Sequence, residues 1–180
     1  MKRLETERIY LREFIESDWE GVYRYASQEQ VSKHQTWEPN SVEESKEFVK
    51  QVLADSQNMP RTRFTFAIVL KKDKRMIGSG EISIRSFNNK TGEISYILNP
   101  DYWKKGIATE VAKIVIEFGF RELNLHRIFA TCAPNNIGSQ KVLEKSGMFF
   151  EGRMRENLLL KEGWRDSILY SALAYEWSSK

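Results

Sequence analysis

Asn99-Pro100-Asp101-Tyr102-Trp103-Lys104-Lys105-Gly106-Ile107-Ala108-Thr109-Glu110 decides how this chain is read. Before it, Glu93-Ile94-Ser95-Tyr96-Ile97-Leu98 has the branched and aromatic content of a strand, which Asn99-Pro100 ends. After it, Val111, Ile114, Val115 and Phe118 recur at the spacing of an apolar helix face, so a helix is expected from about Gly106 to Leu123. A glycine at a strand-to-helix junction lets the backbone approach a ligand closely. The free N–H groups of the helix N-terminus favour an anionic oxygen, so the segment suits a phosphate. Taken alone, the same residues are equally met by a turn glycine beside a solvated Lys104-Lys105 pair.

Upstream, Ile9 to Phe14 reads as a first strand that stops at Glu16-Ser17-Asp18. Ser17 and Glu20 have capping-box spacing, and Trp19, Val22, Tyr23 and Ala26 fall on one helical face. Ser41 and Glu44 repeat the start signal, with Val42, Ser45, Val49, Val52 and Leu53 forming a second amphipathic face. His34 to Pro39 is the loop between them. From Phe64 the apolar period becomes two, through Phe66, Ile68 and Leu70. Lys71 to Lys74 then turns the chain into Met76 to Arg85, and Ser86 to Gly92 connects this hairpin to Glu93 to Leu98. Three consecutive strands imply an antiparallel meander.

Downstream, Arg127 to Cys132 is a strand, and strand, helix and strand in succession suggest one parallel crossover. Asn135 to Lys145 is a short helix closed by Gly147, and two final strands flank Lys161-Glu162-Gly163. No repeat, low-complexity tract or linker interrupts the pattern, so a mixed α+β unit is expected.

Length and composition bound the rest. With 180 residues, 41% of them hydrophobic, residues 1–180 fit one domain. The lone Cys132 excludes an internal disulfide, and no apolar run approaches a membrane span, so a soluble protein of a reducing cytoplasm is expected. The 28 Lys and Arg stand against 25 Asp and Glu with the signs interspersed, which argues against a dedicated nucleic-acid binder. His34 and His126 lack the Cys or Asp company of a metal site. Gly106 is not followed by the Lys-Ser/Thr of a P-loop.

Gly106-Ile107-Ala108 in this setting resembles the pyrophosphate loop of the GNAT superfamily of N-acetyltransferases, whose pattern is Q/R-x-x-G-x-G/A. Trp103 departs from the first position and removes one side-chain donor. The Trp-x-x-Gly-x-Ala form is similar to the branch that contains the ribosomal-protein N-terminal acetyltransferases. Asn135-Asn136-Ile137-Gly138-Ser139-Gln140-Lys141-Val142-Leu143-Glu144-Lys145-Ser146-Gly147-Met148 resembles a second segment of the superfamily, N-x-x-S followed by E-K-x-G-F. Glu151-Gly152-Arg153 and Trp164-Arg165-Asp166 look like the last hairpin of the ribosomal-protein branch.

The resemblance implies an α+β fold built on a mixed, mostly antiparallel sheet of about seven strands, with about four flanking helices and a splayed parallel strand pair. It implies acetyl-CoA as co-substrate and no metal. Backbone N–H groups of Lys104, Lys105, Gly106, Ile107, Ala108 and Thr109 would take its pyrophosphate. Backbone groups of Ile97, Leu98 and Asn99 would pair with its pantetheine arm as an added strand does. Asn135 and Ser139 would face the cofactor near its thiol; helix capping is the other reading of both.

Direct acyl transfer needs a neutral amine, a proton acceptor, donors for the oxyanion and a proton for the departing thiolate. By the resemblance Glu93 is the candidate base, with Glu81 and Glu156 behind it; the plain alternative for Glu93 is a surface strand carboxylate. Many GNAT enzymes place a tyrosine general acid where this chain has Leu143, so Ser139 or water is left to protonate the thiolate. An α-amine of pKa about 7.8 is roughly a quarter neutral in the cytosol, against roughly a thousandth for lysine near 10.4. A site without an obvious acid–base pair therefore suits a protein N-terminus. A small-molecule amine such as an antibiotic, a polyamine or an amino acid is the alternative acceptor, and a non-catalytic acyl-CoA-binding module is the alternative outside catalysis. No nucleic acid or membrane partner is expected, and either a monomer or a homodimer is compatible. Cys132 reads as a small buried thiol, and Trp37 as either a wall of the acceptor cleft or a core plug.

Overall fold

The computed structural model describes residues 4–177. The strands are β1 (Ile9–Glu13), β2 (Arg63–Leu70), β3 (Met76–Ser86), β4 (Thr91–Leu98), β5 (Arg127–Cys132), β6 (Phe149–Leu160) and β7 (Gly163–Leu173). The helices are α1 (Trp19–Ala26), α2 (Glu29–Ser32), α3 (Val42–Ser56), α4 (Ile107–Arg121), α5 (Ile137–Lys145) and α6 (Ala174–Trp177). The sheet order is β1-β2-β3-β4-β5-β7-β6, antiparallel except between β4 and β5. Among the described residues six α-helices stand where about four were expected, because α2 and α6 are single four-residue turns too short to carry a periodic signal.

Two apolar clusters cover the two faces of the sheet. One packs α4 and α5, through Val111, Val115, Phe118 and Leu143, against Ile82, Ile94, Leu98, Ile128 and Tyr170. The other packs α1 and α3, through Val22, Tyr25, Val49 and Val52, against Ala67, Val69 and Met76, and it also takes in Ile97 and Trp37. Trp37 thus sits against core.

The two start signals behave differently. At Ser41 the box closes, with Glu44 N donating to Ser41 Oγ at 3.1 Å and Ser41 N donating to Glu44 Oε2 at 2.7 Å. At Ser17 it does not, because Glu16–Asp18 forms a 3-10 turn and α1 begins at Trp19. There Asp18 takes the organising role: it accepts from Ile15 N at 2.8 Å and holds Arg12 at 2.7 and 2.8 Å. Within α1, Val22, Tyr25 and Ala26 are buried, whereas Tyr23 is 37% exposed.

Candidate acetyl-CoA and acceptor site

The parallel pairing of β4 with β5 covers only Thr91, Gly92 and Glu93 against Arg127, Ile128 and Phe129. Beyond Glu93 the strands continue to Leu98 and Cys132 without pairing, so a wedge opens between them. His126 N donates to Lys90 O at 2.7 Å and Asn99 N donates to Ile77 O at 2.8 Å. Alternation along β4 therefore turns the main-chain groups of even-numbered residues to the wedge and those of odd-numbered residues to β3. Consistent with this, a Cβ added at Gly78 of β3 would stand 2.1 Å from Ile97 O. Of Ile97, Leu98 and Asn99, only Leu98 thus presents its N–H to the wedge, and its carbonyl accepts from Trp103 Nε1 at 2.8 Å. Tyr96, which the sequence reading passed over, adds an N–H and a carbonyl to the same edge.

Past Leu98 the chain makes a 3-10 turn, Pro100–Tyr102, capped by Asn99 Oδ1 accepting from Asp101 N at 3.0 Å. Lys104 at φ 59° and Gly106 at φ 79° lie in the left-handed region, which curls the backbone amides inward ahead of α4. The first return hydrogen bonds of the helix run from Thr109 N and Glu110 N to Gly106 O. The N–H groups of Ile107 and Ala108 are therefore first-turn donors with no intrahelical acceptor. Lys105 is not a loose surface cation: its ammonium donates to Asp101 O at 2.7 Å and lies over the Tyr102 ring. Glu110, one turn into the helix, is neutralised by Arg8, whose Nε donates to it at 2.8 Å, and accepts from Thr6 Oγ1 at 2.6 Å. Arg8 Nη2 comes within 3.4 Å of a Cβ built on Gly106, so a cation stands beside the amide cradle.

On the α4–α5 face, the wedge ends at Tyr96, Cys132 and Ser139. Tyr96 OH lies 3.0 Å from Ser139 Oγ, and burial pushes the phenol pKa well above its ordinary value. Burial likewise raises the Cys132 thiol, with neighbouring Ser139 and Arg165 opposing it. Asn136, not Asn135, caps α5, its Oδ1 accepting from Ser139 N at 3.0 Å; Asn135 is exposed. Leu143, at the position a tyrosine holds in many GNAT enzymes, is 1% exposed and belongs to the core.

The opposite face of the wedge carries Glu93, Ser95 and Ile97. Glu93 is paired with Arg85, at 2.8 Å to Nε and 2.6 Å to Nη2. Glu81 is bound more closely, accepting from Arg63 Nε at 2.8 Å, Thr65 Oγ1 at 2.9 Å and Ser83 Oγ at 3.1 Å. Glu156 is exposed on the β6–β7 hairpin, at φ 47°, its N–H donating to Asp166. Ser95 is exposed although β4 lies mid-sheet, so this face is open there. The far side of the opening is bridged: Arg165 Nη1 donates to His34 O at 2.8 Å and Lys161 pairs with Glu38 at 3.2 Å. Among the described residues no cluster of His, Cys, Asp or Glu could hold a metal, and no helix is long and apolar enough to cross a membrane.

A sheet wedged open beside a glycine-started helix defines an α+β protein whose free strand edge and first-turn amides face one opening. The chain belongs to the GNAT family: the Acetyltransferase (GNAT) domain matches residues 8–149. It is 36% identical over 173 residues to the Bacillus subtilis N-acetyltransferase YnaD, covering 96% of this chain and 98% of that one. A GNAT-family acetyltransferase from Bacillus anthracis superposes with a TM-score of 0.84 at 33% identity, over 95% and 98% of the two chains. The ribosomal-protein-S5-alanine acetyltransferase of Vibrio fischeri superposes with a TM-score of 0.78 at 29% identity, over 96% and 97%. The protein is accordingly an acetyl-CoA-dependent N-acetyltransferase.

Proposed function

We propose that the acceptor is a protein N-terminal α-amine and that the acetyl group passes to it directly, within a single domain working in the cytoplasm. The observation that carries this reading is the state of the sheet carboxylates: Glu93 is engaged by Arg85 and Glu81 by Arg63. Each carboxylate already has a guanidinium counter-charge, which leaves it less to offer a strongly basic amine or a polycation than an α-amine requires. An α-amine, already roughly a quarter neutral near neutral pH, asks least of such a site. The likeness to the Vibrio fischeri enzyme supports the same class of acceptor.

In this mechanism the N–H groups of Lys104 to Ala108 hold the pyrophosphate, Thr109 N being taken by Gly106 O, with Arg8 offsetting Glu110 beside them. The main-chain edge of Tyr96 and Leu98 holds the pantetheine arm, and a helix-capped Ser139 lies where the thiolate departs. Glu93 takes the amine proton through water while the nitrogen attacks the acetyl carbon. The C–S bond then breaks, and Ser139 or water returns a proton to sulfur.

The test is thiol release from acetyl-CoA with a panel of N-terminal peptides, aliphatic polyamines and amino acids. Turnover concentrated on peptides supports the reading; turnover on a small amine and indifference to every peptide would remove it. Binding of acetyl-CoA with no acceptor acetylated would favour a non-catalytic module.

A further inference from the structure

Among the described residues, two polar side-chain atoms are buried without a hydrogen-bond partner, Arg165 Nε and Ser167 Oγ. Ile168, Tyr170 and Cys132 point to the α4–α5 core, so alternation places Arg165, Ser167 and Leu169 of β7 on the same side of the sheet as Glu93 and Ser95. Ser167 is 1% exposed. Arg165 is partly buried beneath the loop that carries His34, and among the described residues its guanidinium pairs with no carboxylate. Its desolvation holds its pKa below the ordinary arginine value, with only Cys132 acting against it. Buried donors of this kind are rare, and a guanidinium is shaped to take a carboxylate.

Position along the sheet fixes what can reach it. Glu93 aligns with Phe129, and Phe129 with Ser171, six positions along β7 from Arg165 (171 minus 165). At about 3.3 Å per residue the two ends stand about 20 Å apart, and side-chain reach brings the usable span to about 10–20 Å. A free amino acid, whose amine and carboxylate are adjacent, cannot bridge that span; an extended chain bridges it in about three to six residues.

We propose that Arg165 and Ser167 form an oxygen-anion subsite that reads an acidic side chain at the third to sixth residue of an extended N-terminal acceptor. This deepens the N-terminal reading above and rests on it. The subsite also repels an aliphatic polyamine, because it adds an uncompensated positive charge to the groove.

The test is a walk of a single glutamate through positions two to six of a Ser-Ala-Ala-Ala-Ala-Ala peptide, with lysine at the same positions as control. KM and kcat are measured for the wild type, Arg165→Gln, Arg165→Lys and Ser167→Ala. We expect glutamate at one or two positions within three to six to lower acceptor KM about tenfold relative to alanine. Arg165→Gln removes that advantage, Arg165→Lys keeps part of it, and KM for acetyl-CoA does not follow. A wild-type KM indifferent to the glutamate, or a preference that persists in Arg165→Gln, overturns the subsite while leaving the N-terminal acceptor intact. A wild type that acetylates a polyamine and none of these peptides overturns both. If Arg165→Gln does not fold, the wild-type walk alone decides, together with loss of the glutamate advantage at high salt.

Discussion

Trp103 Nε1 donates to the carbonyl of Leu98 at 2.8 Å, tying the start of the loop proposed to hold the pyrophosphate to the last residue of β4. The residue that replaces a side-chain donor in the family pattern thus braces the loop against the strand. Replacing it by phenylalanine keeps an aromatic ring and removes about 1 kcal/mol of hydrogen bond. We expect Trp103→Phe to raise KM for acetyl-CoA about fivefold with kcat within a factor of two; steady-state kinetics with acceptor saturating checks it. A fall in kcat alone would show that the brace serves the chemistry instead of the cofactor.

Gly106 makes a sharper case because its φ of 79° is a conformation that a β-branched residue adopts only with strain. A Cβ there also points toward Arg8 Nη2, 3.4 Å away. Gly106→Val should weaken coenzyme A binding by at least tenfold, read by calorimetry, whereas Gly106→Asn, which tolerates the left-handed region, should lose less. Equal losses in the two variants would point to bulk and not to backbone conformation.

How much of this could be read from the sequence depends on how local the cause was. Ser41 with Glu44, the Gly106 junction and the span Arg127 to Cys132 were legible because neighbours along the chain determine them. Ser17 misled because Asp18, one residue on, had a stronger offer: a carboxylate that could hold both Ile15 N and Arg12. The capping alternative to a cofactor-facing Asn135 falls to its neighbour Asn136, a one-residue choice that a pair of adjacent asparagines leaves open. Tyr96 was visible only as one more apolar position alternating with Ile94 and Leu98. Its partner Ser139 is 43 positions away, and no local pattern announces that contact. Arg165 likewise gained meaning only when the fold laid the His34 loop across it.

The Tyr96–Ser139 contact predicts coupling. If the buried phenol fixes the Ser139 hydroxyl toward the thiol, Tyr96→Phe and Ser139→Ala should each lower kcat, by about threefold to tenfold. The double variant should then do no worse than Ser139→Ala by more than about twofold. Additive losses in kcat would mean that the two hydroxyls act separately.

Glu151 sets a pH window for stability. Hydrogen bonds from Arg127, at 2.5 and 2.6 Å, and from Ser171 hold its pKa at about 2, below the ordinary value of 4.5. A depressed carboxylate contributes stability above its unfolded pKa and loses it as pH falls through the folded one. The carboxylate is 35% exposed, so screening limits the contribution to about 1 kcal/mol. Glu151→Gln should therefore lower the Tm at pH 7, with the gap from wild type closing between about pH 4.5 and 2. A gap that stays constant to pH 2 would assign the effect to packing.

Glu93 offers the last and most direct trial of the chemistry. Its carboxylate stands where β4 and β5 part, with Arg85 as its standing counter-charge. If it takes the amine proton through water, Glu93→Gln removes an acceptor whose absence matters most when the amine is protonated. Above the amine pKa, near 7.8 for an N-terminus, the substrate arrives neutral and leans less on the carboxylate. We expect kcat/KM of Glu93→Gln to fall about a hundredfold at pH 6.5 and about tenfold at pH 9, within the range seen for general-base catalysis. Arg85→Met separates the two roles of the site: it removes the counter-charge but leaves the amine proton a carboxylate to go to, so its kcat/KM should fall far less than that of Glu93→Gln at pH 6.5. A pH-independent loss in Glu93→Gln, confined to acceptor KM, would instead make Glu93 a positioning residue and leave the proton to solvent.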